Sequence, residues 1–441
     1  MLNTLRLLAL AASVLAGATA AQTPVVVRHM LWDSAQKPAY QQCANRFERS
    51  HPGVRIRIVQ QGWDDYWGTL STGFVADTAP DVFTAHLTKF AEQVENGVLL
   101  DLQPLITRDG VKLDHLDAGL LRNWQRERAG RTEQYALPAD WDTVALVVNL
   151  DVAQRAGVSL AELQNLSWNP RDGGSLGQVA ARMTFDKQGR NALSPGFDKR
   201  QVQVFGYQVP GSGGMFGQSE WSFLAVSNGF KYQPTPWQGP LRYDDPALVD
   251  TLAWLASLSG RGISASPESR GKLGAEALFA TGRAAIVPTG SWMLSYFARN
   301  ARFPFAFVPT PIGPSGQRAT MRNGLAHTIW RGTRHPEQAW AWLQHLASTD
   351  CQTTVAQAGV VYPAARGTAD LAAQVQRKLG VDPSAFLDMV KAGTTFAPPI
   401  IDHSAQINDL IDEGIEQVLL GAPAGPAMRA ANAKANAVLR R

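Results

Sequence analysis

The strongest constraint on the fold of this 441-residue chain is an alternation of strand-type and helix-type segments. Residues 25–31 form a short apolar run, residues 38–48 have the pattern of a helix, and residues 54–59 alternate with the period of a strand. Another strand is predicted from Pro80, and the helix after it is expected to stop at Asn96 and Gly97. Strands that alternate with helices predict parallel pairing with right-handed crossovers, and therefore an α/β fold.

Strand-type and helix-type segments alternate again in the middle of the chain. Residues 143–149 are rich in β-formers, and they precede a predicted helix at 176–183, a strand at 202–207 and an amphipathic helix at 246–258. Open α/β sheets bind ligands beyond the carboxyl ends of their strands. Two α/β units therefore predict a binding site in the cleft between them.

Composition excludes several classes of protein. The 41 Lys and Arg residues nearly balance 37 Asp and Glu residues, for a net charge of +4, and no basic run is present, so nucleic acid is not an expected partner. Hydrophobic content of 45% with 18% charged residues is typical of a folded globular chain. The length suits two large lobes or about three domains.

Residues 1–21 have the pattern of a secretory signal peptide. Arg6 is their only charge, residues 7–12 are continuously apolar, and Ala18, Thr19 and Ala20 form a small-residue cleavage site. No later run has the ~18 apolar residues of a membrane span. Because no cysteine lies near the cleavage site, no lipid anchor is expected. These features predict an exported, periplasmic or otherwise extracytoplasmic protein.

The chain has two cysteines, Cys43 and Cys351. In an oxidising compartment they could form a disulfide, but two separately buried thiols are the favoured interpretation, and the sequence leaves the pairing open. The eight histidines show no metal-binding spacing such as His-x-x-x-His. No metal and no cofactor are therefore expected.

Known catalytic motifs are absent from the sequence, including the nucleophile elbow, the His-Glu-x-x-His motif and the phosphate loop. The strongest candidate for chemistry is Asp140-Trp141-Asp142, in which the period of an extended segment puts both carboxylates on one side and the indole on the other. Acceptors for sugar hydroxyls are the favoured interpretation. A glycosidase pair and a structural role remain open, because carboxyl separation alone does not exclude hydrolysis.

Several of the 13 tryptophans lie where a strand or helix begins or ends. Trp32 and Asp33 follow the first strand, Trp63 and Trp67 begin a helix, and Trp292 follows a predicted strand. Exposed indole faces beside polar groups suit the carbon faces and hydroxyl rim of a sugar, although interaction surfaces also favour Trp. The helical residues Trp254, Trp340 and Trp342 are predicted to be core residues instead.

Eight segments, in order, resemble the extracellular solute-binding proteins of carbohydrate ABC importers, known as family 1. They are Phe47–Val54, Trp63–Trp67, Pro80–Phe83, Tyr135–Thr143, Leu278–Ala285, Gly290–Met293, Arg322–Ala326 and His335–Trp340. The resemblance covers nearly the whole chain after residue 21. It implies a two-lobed type II periplasmic-binding-protein fold of the α/β class, with the lobes joined by a three-segment hinge.

By position, the resemblance implies crossings near Asp140, Asn323 and Asp350. The amino-terminal lobe would comprise residues 22–139 and 325–350, and the carboxy-terminal lobe residues 140–324 and 351–441. The resemblance also implies a monomeric binding protein without catalytic activity. Such a protein would capture a sugar or oligosaccharide and deliver it to a membrane permease.

The substrate-binding residues implied by the resemblance are Trp32, Asp33, Trp67, His86, Asp142, Trp221, Trp292 and Asn323. Trp292 is expected to stack on the sugar, and Asp142 is expected to accept a hydrogen bond at the crossing. Two alternatives remain: a secreted glycoside hydrolase, and a binding protein for a non-sugar solute such as a peptide or polyamine. The last would have an anionic cleft.

Overall fold

The computed structural model describes residues 23–266 and 273–440. The predicted signal segment, residues 1–21, lies outside the described residues. The strands are β1 (Val25–Leu31), β2 (Val54–Gln60), β3 (Val82–His86), β4 (Gln125–Arg128), β5 (Arg131–Gln134), β6 (Ala136–Asp142), β7 (Val144–Asn149), β8 (Phe185–Asp186), β9 (Val202–Val204), β10 (Ile286–Gly290), β11 (Phe305–Val308), β12 (Thr320–Met321), β13 (Asn323–Ile329), β14 (Tyr362–Pro363) and β15 (Thr395–Phe396).

The helices include most of those predicted from the sequence. They are α1 (Lys37–Ser50), α2 (Trp63–Val75), α3 (Leu87–Glu95), α4 (Gln103–Asp109), α5 (Ala118–Arg122), α6 (Leu150–Arg155), α7 (Leu160–Gln164), α8 (Gly174–Met183), α9 (Ser222–Ser227), α10 (Pro246–Gly260), α11 (Ala275–Ala280), α12 (Leu294–Asn300), α13 (Pro336–Ala347), α14 (Thr349–Gln357), α15 (Thr368–Lys378), α16 (Ser384–Lys391), α17 (Ser404–Leu419) and α18 (Ala424–Val438). None of these described helices is long and apolar enough to cross a bilayer.

The larger sheet has six strands in the order β14-β6-β13-β3-β1-β2. Strand β1 pairs in parallel with both β2 and β3, so the parallel arrangement predicted for the amino-terminal strands is confirmed. Strand β13 lies antiparallel between β3 and β6, and β14 is antiparallel to β6. We call this sheet, with the helices on its two faces, the first body.

A smaller sheet has β7 at its centre, with β10 and β11 antiparallel on either side. The prediction of a second parallel set is therefore wrong for this sheet. The predicted strand at 202–207 is shorter than expected, and as β9 it pairs with β8 instead of β7. We call this sheet and the helices around it the second body.

Each body buries apolar side chains on both faces of its sheet. In the first body, Val27 packs in one core with Trp342 of α13, while Met30 belongs to a separate core on α2 and α3. In the second body, Leu146 joins a core with α8, α10, α17 and α18, while its neighbour Val147 packs with α11 and α12. Residues an odd number of positions apart on β1 and β7 thus belong to different cores, because successive side chains of a strand point to opposite faces.

The predicted core tryptophans behave as expected. Trp254, Trp340 and Trp342 are no more than 4% exposed, and all three lie in helices. Their burial separates them from the tryptophans at the ends of elements. The sequence argument that distinguishes the two groups therefore holds for these three residues.

The chain passes between the two sheets at two places in its central part. Strand β6 leads through Thr143 into β7, and Arg322 joins β12, which pairs with β15, to β13 of the larger sheet. The predicted third crossing at Asp350 differs from the packing, because α14 and α15 stay on the first body and β14 pairs with β6. The chain reaches β15 only after α15.

A disulfide joins Cys43 of α1 to Cys351 of α14, across 308 residues of sequence. Their Cα atoms lie 5.4 Å apart, and both side chains are fully buried. The favoured interpretation of two separate thiols is therefore wrong. The bridge also explains why α14 belongs to the first body, since it fixes that helix beside α1.

Candidate functional site

A cavity of about 620 Å³ opens between the two bodies. This volume lies within the ~300–1,000 Å³ typical of small-molecule sites. The first body lines it with Trp32, Asp33, Ser34, Gln36, Trp63, His86, Thr88, Asp140, Trp141, Asp142, Leu325 and Val361. The second body contributes Gly213, Phe216, Gln218, Ser219, Glu220, Ser291 and Trp292. A ligand in this space would contact both bodies.

Tightly packed rings form the first-body wall. The Trp32 ring lies 5.1 Å from Trp63, 5.0 Å from Tyr66 and 5.6 Å from Trp67, measured between ring centroids. Trp63 and Trp67 are one helical turn apart on α2, which begins directly after β2. The Tyr66 hydroxyl donates to the carbonyl of Thr84 at 2.6 Å, which fixes the helix to β3. We call these four rings the first-body aromatic cluster.

On the opposite side, Trp292 occupies a 3-10 turn directly after β10. Its side chain is 41% exposed. The indole lies against Gly290, where an added Cβ atom would come within 1.8 Å of the ring. The missing side chain at Gly290 therefore permits the ring position, because any larger residue would overlap the indole.

The two carboxylates of β6 both line the cavity, as the period of a strand predicts for Asp140 and Asp142. The ring of Trp141 packs 4.9 Å from Tyr362, and the guanidinium of Arg322 lies 4.6 Å above it. Strand alternation therefore separates this cation from the two acids. Arg322 also pairs with Asp117.

Burial raises the pKa of three acids in the cavity, Asp140, Asp142 and Glu220. The pKa of Asp142 is raised to about 7 by burial, and a hydrogen bond from Gln218 Nε2 at 2.6 Å opposes this shift. The pKa of Asp140 is raised well above its usual value, first by burial and then by the charges of Asp142 and Asp33. Burial also raises the pKa of Glu220. The cavity therefore favours protonated acids when it holds no compensating charge.

A polar chain links the two bodies behind the cavity. Asn323 Nδ2 lies 3.0 Å from His86 Nε2 and 3.4 Å from Gln218 Oε1, and Gln218 in turn donates to Asp142. Burial, followed by the charge of Lys89, lowers the pKa of His86 to about 4, so the imidazole is neutral near pH 7. The backbone N–H of Thr88 donates to His86 Nδ1, so Nε2 carries the proton of the neutral ring and faces the side-chain amide of Asn323. The second-body loop thus reaches the ends of β3, β6 and β13.

The structure brings together five of the eight predicted site residues: Trp32, Asp33, His86, Asp142 and Trp292 all line the cavity. Asn323 is buried behind it, and Trp67 supports Trp32 while facing a separate groove. Trp221 does not reach the cavity. It is 1% exposed in the second-body core, where its indole donates to the carbonyl of Ser212 at 2.9 Å.

Other cavity residues were not predicted as ligand contacts. Trp63 was noted only for its position, although it is 46% exposed and lines the cavity where Trp67 does not. Gln218 and Glu220 follow a glycine-rich loop, and no local pattern distinguishes them from ordinary loop residues. Within residues 23–266 and 273–440, no group of three or more His, Cys, Asp or Glu side chains could hold a metal ion.

Comparison with known proteins identifies the family of this chain. Residues 42–381 match the family model described as bacterial extracellular solute-binding protein. A curated relative is the maltodextrin-binding protein MdxE of Bacillus subtilis, 23% identical over 310 residues, which are 69% of this chain. That match spans 64% of the relative, which is less than two thirds of its length.

Solved structures match over almost the whole chain. The M. tuberculosis protein UspC superposes with a TM-score of 0.72 at 25% identity, over 94% of this chain and 100% of UspC. An ABC substrate-binding protein from Listeria monocytogenes, in complex with cycloalternan, gives a TM-score of 0.77 at 19% identity, over 95% of this chain and 99% of that protein.

Proposed function

Because this chain belongs to the family of bacterial extracellular solute-binding proteins, we propose that it binds a sugar or oligosaccharide for an ABC importer. The Bacillus relative is named for maltodextrin binding, and the Listeria structure contains cycloalternan. The observation that carries the proposal is a cavity with aromatic rings on both walls and carboxylates and amides between them. Rings contact the carbon faces of a sugar, and polar groups pair with its hydroxyls.

The fold is the two-lobed type II periplasmic-binding-protein fold, as the sequence predicts. We assign the first body to the amino-terminal lobe and the second body to the carboxy-terminal lobe, with the third crossing after α15. A ligand shifts an equilibrium between open and closed lobes only if it binds the two states differently. Trp32 and Trp292 lie on different lobes, so a sugar between them would favour closure.

Delivery requires a partner in the membrane. We propose that the loaded, closed protein docks on the permease of the importer, and that the protein acts as a monomer outside the cytoplasm. The signal peptide at residues 1–21 and the absence of a lipid anchor remain predictions from the sequence.

No catalytic step is part of this function. Glycosidases place their two carboxyl groups on either side of the bond that they cleave. Asp140 and Asp142 instead lie two residues apart on one strand, on the same side of the cavity. They are better placed to pair with a ligand than to flank a glycosidic bond.

A thermal-shift screen of mono- and oligosaccharides at millimolar concentration tests this function. A ligand that binds only the folded protein raises the melting temperature, by an amount that grows with its concentration relative to Kd. We expect a sugar to raise the melting temperature and to remain intact. New reducing ends would support the hydrolase alternative, and a screen in which no sugar has an effect would contradict the proposal.

A further inference from the structure

Apart from one histidine, the ionisable side chains that line the cavity are all acidic. Four carboxylates line it, from Asp33, Asp140, Asp142 and Glu220, and no Lys or Arg is among the described residues of its lining. His86 also lines it, but burial keeps that imidazole neutral near pH 7. The nearby Arg322 lies across the ring of Trp141 and pairs with Asp117. None of the described lining residues therefore brings a positive charge into the cavity near pH 7.

Three of the four carboxylates have their own hydrogen-bond donors. Asp33 accepts from the backbone amide of Ala35 at 2.8 Å and from Gln36 Nε2 at 3.0 Å. Glu220 accepts from the hydroxyl and the backbone amide of Ser219. These bonds, like the bond from Gln218 to Asp142, satisfy acids that have lost water.

Asp140 is the exception. Its side chain is 2% exposed, and Oδ2 is buried without a hydrogen-bond partner among the described residues. Buried carboxylates are normally paired or hydrogen-bonded, because an isolated charge in a protein interior is costly. A neutral sugar hydroxyl could donate one hydrogen bond to this carboxyl group but would leave the acids of the cavity without a compensating charge, in their protonated form. An ammonium group would supply both a donor and a positive charge.

We infer that the ligand of this cavity is an amino sugar, or an oligosaccharide that contains one, and that its protonated amino group binds Asp140. The inference rests on the proposed function and specifies its substrate class. The neutral groups of the lining distinguish this ligand from a simple polyamine. Ser34, Gln36 and Ser291 offer partners for hydroxyls, and the exposed rings of Trp63 and Trp292 offer flat surfaces for a sugar ring.

Isothermal titration with matched ligands tests the inference. Each amino sugar, such as glucosamine or its β-1,4-linked disaccharide, is compared with the parent sugar that carries a hydroxyl and with the uncharged N-acetylated form. We expect the amine to bind at least about tenfold more tightly than both neutral forms, which corresponds to about 1.4 kcal/mol.

Asp140→Asn tests which residue is responsible, since it keeps the shape of the side chain and removes its charge. We expect the advantage of the amine to fall about tenfold, while binding of the neutral parent changes by less than about threefold. Glu220→Gln is the matched control, because it also removes one charge from the cavity but at an acid that already has donors. Glu220→Gln should reduce the affinity advantage of the amine less than Asp140→Asn does.

The outcomes separate this inference from the proposed function. Neutral sugars that bind as tightly as amino sugars would overturn the inference and leave the sugar-binding function intact. If Asp140→Asn lost equal affinity for charged and neutral ligands, the inference would also be overturned and the sugar-binding function would remain. Binding of spermidine or choline without binding of any sugar would overturn both. If Asp140→Asn fails to fold, the comparison of ligands with the unaltered protein decides the question.

Discussion

The two walls of the cavity are built differently. The rings of the first-body aromatic cluster contact one another, and Trp32 touches three of them. Trp292 of the second body has no ring contact with any residue in the described parts of the chain, and it lies on Gly290. One wall is therefore part of the packing of its lobe, whereas the other presents a single indole that is 41% exposed.

This difference separates stability from binding. Substitution in the first wall removes contacts that hold β1 to α2, so it should weaken both the fold and the ligand complex. Substitution of Trp292 removes mainly an exposed ring face that can contact a ligand. The carboxylate of Asp142, which ends a first-body strand and accepts from a second-body side chain, lies where the two walls meet.

The largest effect is expected at Asp142. Because its pKa is about 7 in the folded protein, above its ordinary value of 3.8, the folded state holds this proton more tightly than the unfolded state. Stability should therefore fall as pH rises from about 4 to about 7. Asp142→Asn removes this loss and should stabilise the ligand-free protein at pH 8 by about 2 to 4 kcal/mol, after allowance for screening.

Urea unfolding of the two proteins across this pH range is the measurement. The difference between the two profiles reports the titration of Asp142 together with its effect on Asp140, whose pKa the charge of Asp142 raises. Parallel profiles would contradict the raised pKa. Below pH 4 the two proteins should be similar in stability, since both then have an uncharged side chain at this position.

Trp32→Ala should have the next largest effect. Loss of a packed indole is expected to lower the free energy of unfolding by about 3 kcal/mol and to weaken sugar binding as well. Urea unfolding and isothermal titration measure the two quantities. A variant of normal stability would show that the first wall is no more integral to its lobe than the second.

Trp292→Ala should weaken sugar affinity at least tenfold, about 1.4 kcal/mol, and leave the melting temperature of the ligand-free protein almost unchanged. The indole has little packing to lose in the absence of ligand. Trp292→Phe is the matched control and should retain most of the affinity, because it keeps an aromatic face. Unaltered binding by Trp292→Ala, or its failure to fold, would be inconsistent with a stacking role.

The smallest effect is expected for Gly290→Ala. The added methyl group would overlap the indole of Trp292 and displace it, and we expect affinity to fall about threefold, about 0.7 kcal/mol. A double-mutant cycle checks the mechanism, because Gly290→Ala should have no further effect once Trp292 is alanine. Additive losses would mean that the glycine acts independently of the ring.

The first body was more predictable from sequence than the second. Strands β1 to β3 are joined by helices close in sequence, so local periodicity predicts both their positions and their parallel pairing. Strand β7 was also located correctly, but its partners β10 and β11 come from distant parts of the chain. Local patterns do not encode such pairing, and the disulfide across 308 residues was left open for the same reason.

The sequence also predicts only some of the side chains that line the cavity. Trp32 and Trp292 were found because each follows a strand, a position that opens toward the cleft. Trp221 also lies at the end of an element, yet tertiary packing buries it against Gly217. The importance of Asp140 beyond Asp142 depends on an unpaired oxygen, which only the three-dimensional arrangement reveals.

The position of β13 has a consequence for the synthesis of this protein. It is the strand that joins β3 to β6, yet β7 to β12 of the second body precede it in the chain. A growing polypeptide that ends before Asn323 therefore has two unconnected halves of a sheet, with strand edges open to other chains. Cys43 likewise has no partner until Cys351 has left the ribosome. We expect the first-body sheet to stay incomplete until late in translation, so nascent chains of this protein should depend on chaperones until then.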